Sequence, residues 1–263
     1  MRARWWLAVA TYAIAAMFAV VLVPGSWRWS ALAIAVGAPL LWRWWLHRAM
    51  ARHGVAAVAL NSALRTGNFA LAEREAVALR RAFPRPRHVD RYAGYQLAQL
   101  VLRQGRLADA IEILSEIDRQ GGVFGHDWSI AARLSLFHGL RGDLEPAERW
   151  FVEAQARAAT FVPWRFNLAL AEVVIDLRRD KFDDVVTYFA RHWPEMERTL
   201  TGEALRPLRL LRAFALASVN GARGAGAASM HLDALRPARV EEFACLATEW
   251  PALDAFIRTS LPS

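Results

Sequence analysis

The stretch Gln104-Gly-Arg-Leu-Ala-Asp-Ala-Ile-Glu-Ile-Leu114 ends one helical run and starts another. Gly105 supplies the turn, and Leu107, Ala110, Ile111 and Leu114 follow at the spacing of one apolar helix face. The same phrase occurs upstream as Gly67-Asn-Phe69-Ala-Leu-Ala72 and downstream as Gly142-Asp-Leu144-Glu-Pro-Ala147. A degraded copy reads Asp180-Lys-Phe182-Asp-Asp-Val185, and the starts lie 38, 37 and 38 residues apart. A fixed period in this range marks a unit that cannot bury its own apolar face and stacks on copies of itself.

Each copy reads as a helix, a short turn and a second helix, covering about 53–84, 91–122, 128–159 and 166–197. Pro84 and Pro194 are expected to stop second helices, because proline has no N–H to give the ladder. Links are expected at Arg85–Asp90, Gly121–Asp127 and Phe161–Arg165. A poor fifth copy runs from about Glu203 through a soft turn at Asn220–Ala227 to Arg236. Val240–Thr248 and Pro251–Thr259 read as closing helices, with Glu241, Glu242, Glu249 and Asp254 suiting the polar face of a terminal unit.

The beginning of the chain has another character. Trp5 to Val23 is 19 residues without a charge, enough for a bilayer-spanning helix at roughly 1.5 Å per residue. Pro24-Gly25-Ser26 breaks it, and a second apolar run goes from Trp29 to Trp42, reaching Leu46 if Arg43 snorkels. Trp5, Trp6, Trp27, Trp29, Trp42, Trp44 and Trp45 mark the ends of these runs, where a membrane interface favours amphipathic rings. A cleaved leader is the alternative for the first run; its apolar core is long, and no small-x-small site follows at Val21–Gly25.

Arg2 and Arg4 precede the first run, Arg43, Arg48 and Arg52 follow the second, and only Arg28 lies between. Both ends are therefore expected in the cytoplasm. The expected fold is all-α: a transmembrane helical hairpin over 1–48, an α-solenoid of antiparallel helix pairs over 49–237, and capping helices over 238–263. The expected location is the inner (cytoplasmic) membrane, with two spans and the helical domain on the cytoplasmic side.

The net charge of +8 is uneven. Residues 1–91 hold 13 Arg against Glu73, Glu75 and Asp90, a balance of +10, which leaves −2 for the rest. The excess sits beside the most apolar stretch, where anionic headgroups attract it; a nucleic-acid face would extend along the array. Membrane lipid is thus an expected partner and nucleic acid is not.

The phrase Gly-x-Phe/Leu-x-x-Ala, followed by small residues and a proline, resembles the tetratricopeptide repeat. Copy one matches at Gly67, Phe69, Ala72 and Pro84; copy two at Leu97, Ala98, Gly105, Leu107 and Ala110; copy three at Leu134, Gly142, Leu144, Ala147 and Ala154. The likeness covers about residues 53–200. It departs in the longer period, in the absent bulky residue early in the first helix, and in copy four, which lacks both Gly and Ala. Two spans before such repeats are also similar in architecture to the membrane-anchored proteins of some bacterial haem-biosynthesis operons.

The resemblance implies that first helices line a concave groove for a protein or peptide partner. The corresponding residues are Asn61, Arg65, Tyr92, Tyr95, Gln99, Arg103, Arg133, Asn167 and Arg178. Arg65, Arg103 and Arg178 share one position in the unit: a ladder for an acidic partner, or cations offsetting helix C-termini. Some relatives grip a terminal carboxylate with Lys, Asn, Asn, Lys and Arg. The matching places here are Ala57, Asn61, Gln96, Ser129 and Arg133, so both lysines are missing and no such clamp is expected.

No chemistry emerges from the remaining residues. Cys245 is the sole cysteine, which excludes an intramolecular disulfide and a Cys-based zinc site, and Phe243-Ala-Cys-Leu reads as packing. Histidines 47, 53, 88, 126, 138, 192 and 231 show no i, i+4 pairing; His47 and His53 read as interfacial. Asp127 reads as an N-cap and Asp183-Asp184 as a solvated helix start. Gly221–Gly226 has no strand before it and reads as a slack turn, not a phosphate loop. No metal, cofactor or small-molecule substrate is expected, and no enzyme activity. The expectation is a membrane-anchored scaffold that binds a protein or peptide in its groove. Its alternatives are an accessory subunit docking through the hairpin and a regulator of a cofactor-biosynthesis enzyme.

Overall fold

The computed structural model describes residues 51–64, 66–81, 87–121, 127–158, 164–200 and 202–262, with 41, 45 and 48 as isolated positions. Every regular element among them is an α-helix. In chain order these are α1 (51–64), α2 (Phe69–Arg81), α3 (Arg87–Arg103), α4 (Leu107–Arg119), α5 (Asp127–Arg141) and α6 (Leu144–Ala158). They continue as α7 (Trp164–Arg178), α8 (Phe182–Thr199), α9 (Gly202–Asp233), α10 (Val240–Ala247) and α11 (Pro251–Ser260).

The repeat is visible atom by atom in the turns. Gly67, Gly105 and Gly142 have φ of 71°, 77° and 89°, and Asp180 takes φ 57° at the equivalent place in the degraded copy. After each, the next N–H reaches back over the end of the first helix: Asn68 to Ala63, Arg106 to Val101, Asp143 to His138 and Lys181 to Asp176, at 2.9–3.0 Å. This is the left-handed helix stop in which a C-terminal orphan carbonyl is satisfied. Glycine adopts it without a Cβ penalty, and Asp is among the few other residues that do so readily.

The small residue that follows each turn explains why the two helices of a unit come close. Ala72, Ala110 and Ala147 are 0% exposed and Val185 1%. In the first helices the equivalent column is Leu60, Ala98, Ser135 and Val173, again all buried. Ser135 is the one hydroxyl in that column, and it donates to the Ala147 carbonyl at 2.8 Å, so its burial leaves nothing unsatisfied. Consecutive helices from α2 to α9 pack on one another, as do α10 and α11; α5 also meets α7, and α7 meets α9, as in a stacked array. One continuous core runs from Leu60 to Leu261.

Charged groups tie neighbouring units. Arg80 of α2 donates to Asp90 of α3 (3.2 Å) and to Glu116 of α4 (2.7 Å). Asp90 is only 2% exposed, a burial that requires this pairing. Arg157 of α6 reaches back to Asp118 of α4 at 2.5 Å.

Three boundaries differ from expectation. Pro194 does not stop α8, which continues to Thr199 because Trp193 and Met196, buried at 8% and 0%, hold that turn on the core. Part of two expected links is helical, since α3 begins at Arg87 and α7 at Trp164. His53, read as interfacial, is 5% exposed. Pro84 lies outside the described residues.

α9 is helical in its hydrogen bonding from end to end yet doubles back. Arg209 Nη1 donates to the Ala234 carbonyl at 3.2 Å, whereas 25 residues of straight helix would separate them by about 37 Å. The reversal therefore falls around the glycine-rich stretch Gly221–Gly226, where such helices bend, and supplies the expected turn of the fifth copy. Among the described residues no helix is long and apolar enough to cross a membrane. The hairpin expected over 1–48 lies outside them apart from Leu41, Trp45 and Arg48, which are helical.

Candidate partner-binding face

The first helices of the units, α3, α5, α7 and the first arm of α9, turn residues toward one inner face. α10 lies along that face. It meets α3 directly, and a cleft of about 560 Å³ opens between it and the first helices. Gln99, Leu102 and Arg103 line the cleft from α3, Arg133 and Leu136 from α5, and Arg206 from α9. A smaller recess of about 260 Å³ adjoins it, sharing Gln99, Arg103 and Arg133 and adding Tyr95 and Gln96.

Three of the nine expected groove residues, Gln99, Arg103 and Arg133, thus meet in one place. Several others are occupied within the chain. The Tyr92 hydroxyl donates to Asn61 Oδ1 at 2.6 Å, joining α3 to α1. Arg133 Nε donates to the Tyr95 hydroxyl at 3.0 Å and lies 5.9 Å from the ring centroid. Both pairs link one unit to the next. Asn167 lies in α7, and Arg65 is outside the described residues.

The arginines that share a unit position do not behave alike. Arg103 sits 5.2 Å over the Phe69 ring and stays exposed to solvent beside the cleft. Arg178 is drawn inward: it donates to the Gly139 carbonyl at 3.2 Å, to the Leu140 carbonyl, and to the Glu249 carbonyl at 2.9 Å. Its guanidinium also stacks 4.3 Å over Trp250. It therefore closes the C-terminal end of α5, where carbonyls lack helical partners, and fastens the corner between α10 and α11. Burial holds its pKa below the ordinary arginine range.

Other residues of the face carry no mark in the repeat phrase. Glu242 of α10 forms a two-point pair with Arg206, whose guanidinium also lies 6.0 Å from the Phe243 ring. Trp250 meets Phe214 edge-on at 5.8 Å, and Phe256 meets Phe214 at 5.3 Å. The nearest available signal was the apolar spacing of Phe243, Leu246 and Trp250, which says that a face is buried but not against what. Cys245 is half-buried beside the cleft, and burial pushes its thiol up, so it is a poor nucleophile there.

A second cluster lies where α8 meets the two arms of α9. Arg212 stacks 4.6 Å over Trp193, Arg209 lies 5.9 Å from the same ring, and His231 meets it edge-on at 5.5 Å. Burial and the two arginines depress His231 to about 4. Glu197 pairs with Arg209 at 3.1 Å. Among the described residues no cluster of His, Cys, Asp or Glu could hold a metal ion. Of the expected interfacial tryptophans, Trp45 is half-buried; Trp5, Trp6, Trp27, Trp29, Trp42 and Trp44 lie outside the described residues. Comparison with family models, with curated proteins and with solved structures found no match to any of them.

Proposed function

We propose that the chain is a tetratricopeptide-like scaffold, anchored in the inner membrane by a hairpin over 1–48, that binds a protein partner on the inner face of its first helices at the cytoplasmic surface. One observation carries it: residues 34 apart in sequence, Gln99 and Arg133, converge with Arg103 on a half-apolar cleft of about 560 Å³. Such convergence of a few polar groups on an apolar floor is the usual form of a binding site. Anchoring would raise the effective concentration of whatever is bound. A photo-crosslinker at Gln99 in intact cells should capture a protein, and Arg103→Ala with Arg133→Ala should abolish the capture. Equal capture by the double variant would remove the cleft from the account.

A second reading is favoured by the filling of the inner face. α10 and the internal pairs Asn61–Tyr92 and Tyr95–Arg133 occupy much of the expected groove, which suits an accessory subunit docking through its hairpin. Exchanging residues 1–48 for an unrelated two-span hairpin separates the two: the scaffold keeps its partner and the accessory subunit loses it.

A further inference from the structure

α10 shows what the inner face accepts. It is a short helix with Glu241 and Glu242 in its first turn and with Phe243 and Leu246 buried on its underside. The surface beneath is the complement: apolar at Leu102, Leu136 and Leu170, and cationic at Arg103, Arg133 and Arg206. Opposite charges set in this way fix the direction and register of a docked element.

The match is incomplete. Glu242 takes Arg206, but Arg103 spends its charge on the Phe69 ring and Arg133 on Tyr95. Gln99 Nε2 is buried without a hydrogen-bond partner, a cost that a better-fitting occupant would remove. α10 and α11 pack on each other and meet the body at α3 and α9. Phe243, Leu246, Trp250, Leu253 and Ile257 join the core, Phe256 packs on Phe214, Glu242 pairs with Arg206, and Trp250 lies under Arg178. Two short helices that meet the body at two elements open as a unit more readily than helices stacked between neighbours along the array.

We propose that the inner face of α3, α5 and α9 is a seat for an amphipathic helix with an acidic first turn supplied by a partner protein. α10 is the chain's own occupant of that seat and leaves it together with α11 when the partner binds. This rests on the partner-binding function proposed above and assigns that partner a chemistry. Acidic carboxylates meet Arg103 and Arg133 in the bound state, and Gln99 gains an acceptor.

The probe is a fluorescent synthetic peptide of residues 239–262, titrated into the full chain in detergent. Loosening the fastening with Glu242→Gln and Trp250→Ala should tighten peptide binding at least tenfold over the unaltered chain. A peptide carrying Glu241→Lys and Glu242→Lys should not bind, nor should the loosened chain with Arg103→Glu and Arg133→Glu. Equal binding by loosened and unaltered chains, or by the charge-reversed peptide, would overturn the proposal. So would a dimer of the loosened chain that excludes the peptide, since the occupant would then be a second copy. Hydrogen exchange on the unaltered chain is an independent check: amides of 240–260 should exchange faster than those of α3 and α5, and equal protection would defeat displacement. Peptide binding without a cellular crosslink at Gln99 would refute the partner function while leaving the seat; a crosslink without peptide binding would do the reverse.

Discussion

Arg178 shows how one side chain is committed by what surrounds it. Its position in the unit offered two roles, and its three carbonyl acceptors together with the Trp250 ring decide for the structural one. Arg178→Ala should cost roughly 2 kcal/mol, the usual range for losing hydrogen bonds to a charged group, read as a lowered denaturant midpoint with helix content intact. His231 makes a prediction about pH. It is held neutral to about 4 in the folded chain by burial beside Arg209 and Arg212, with Glu197 opposing them, whereas an unfolded histidine titrates near about 6.5. Between those values the unfolded chain binds more protons, so this contribution to stability falls as pH drops through the window. His231→Gln should flatten the melting temperature between pH 4 and pH 6.5 relative to the unaltered chain. Neither role was legible in the residue alone, because each depends on partners that the fold brings in from elsewhere in the chain.

At the scale of the element, the turn between the helices of a unit is the most exact repeat in the molecule. Gly67, Gly105, Gly142 and Asp180 hold one backbone conformation, and the N–H after each makes the same back-bond. Asp180 pays for that conformation with a side chain where glycine has none. Asp180→Gly should therefore raise stability by roughly 0.5–1 kcal/mol, while Gly142→Ala should lower it by roughly 1–2 kcal/mol. Thermal melts of the two variants give the signs, and opposite signs are the point of the comparison. The phrase made this element readable because a left-handed stop and a close helix approach each demand a particular residue type. Pro194 was less readable: proline disfavours a helix interior, but Trp193 and Met196 anchor the continuing turn, and tertiary burial outweighs the lost hydrogen bond.

For the whole molecule, the stacked units build an inner face and the chain then lays α10 along it. Ion pairs run between units, Arg80 with the buried Asp90 and with Glu116, and Arg157 with Asp118, so neighbouring units are braced to one another. The proposed membrane hairpin is tested at this scale too. If both ends lie on the cytoplasmic side, as proposed, a cysteine placed at Ser26, in a chain also carrying Cys245→Ala, should react with a membrane-impermeant maleimide added outside the inner membrane. One placed at Ser263 should not. Labelling of both, or of the second alone, would refute the topology.

The sequence by itself determined the helical period, the turn positions and the small residues at the helix crossings, because these follow from local backbone conformation and from the contact of each unit with a neighbour of the same pattern. It also set the uneven charge, which is a property of composition. The tertiary structure decided what the inner face holds. Glu242 meets Arg206 across 36 residues and Arg178 meets Glu249 across 71, distances over which no local rule reaches. An apolar helix face announces that it will be buried; only the shape and charge of the surface it finds determine where.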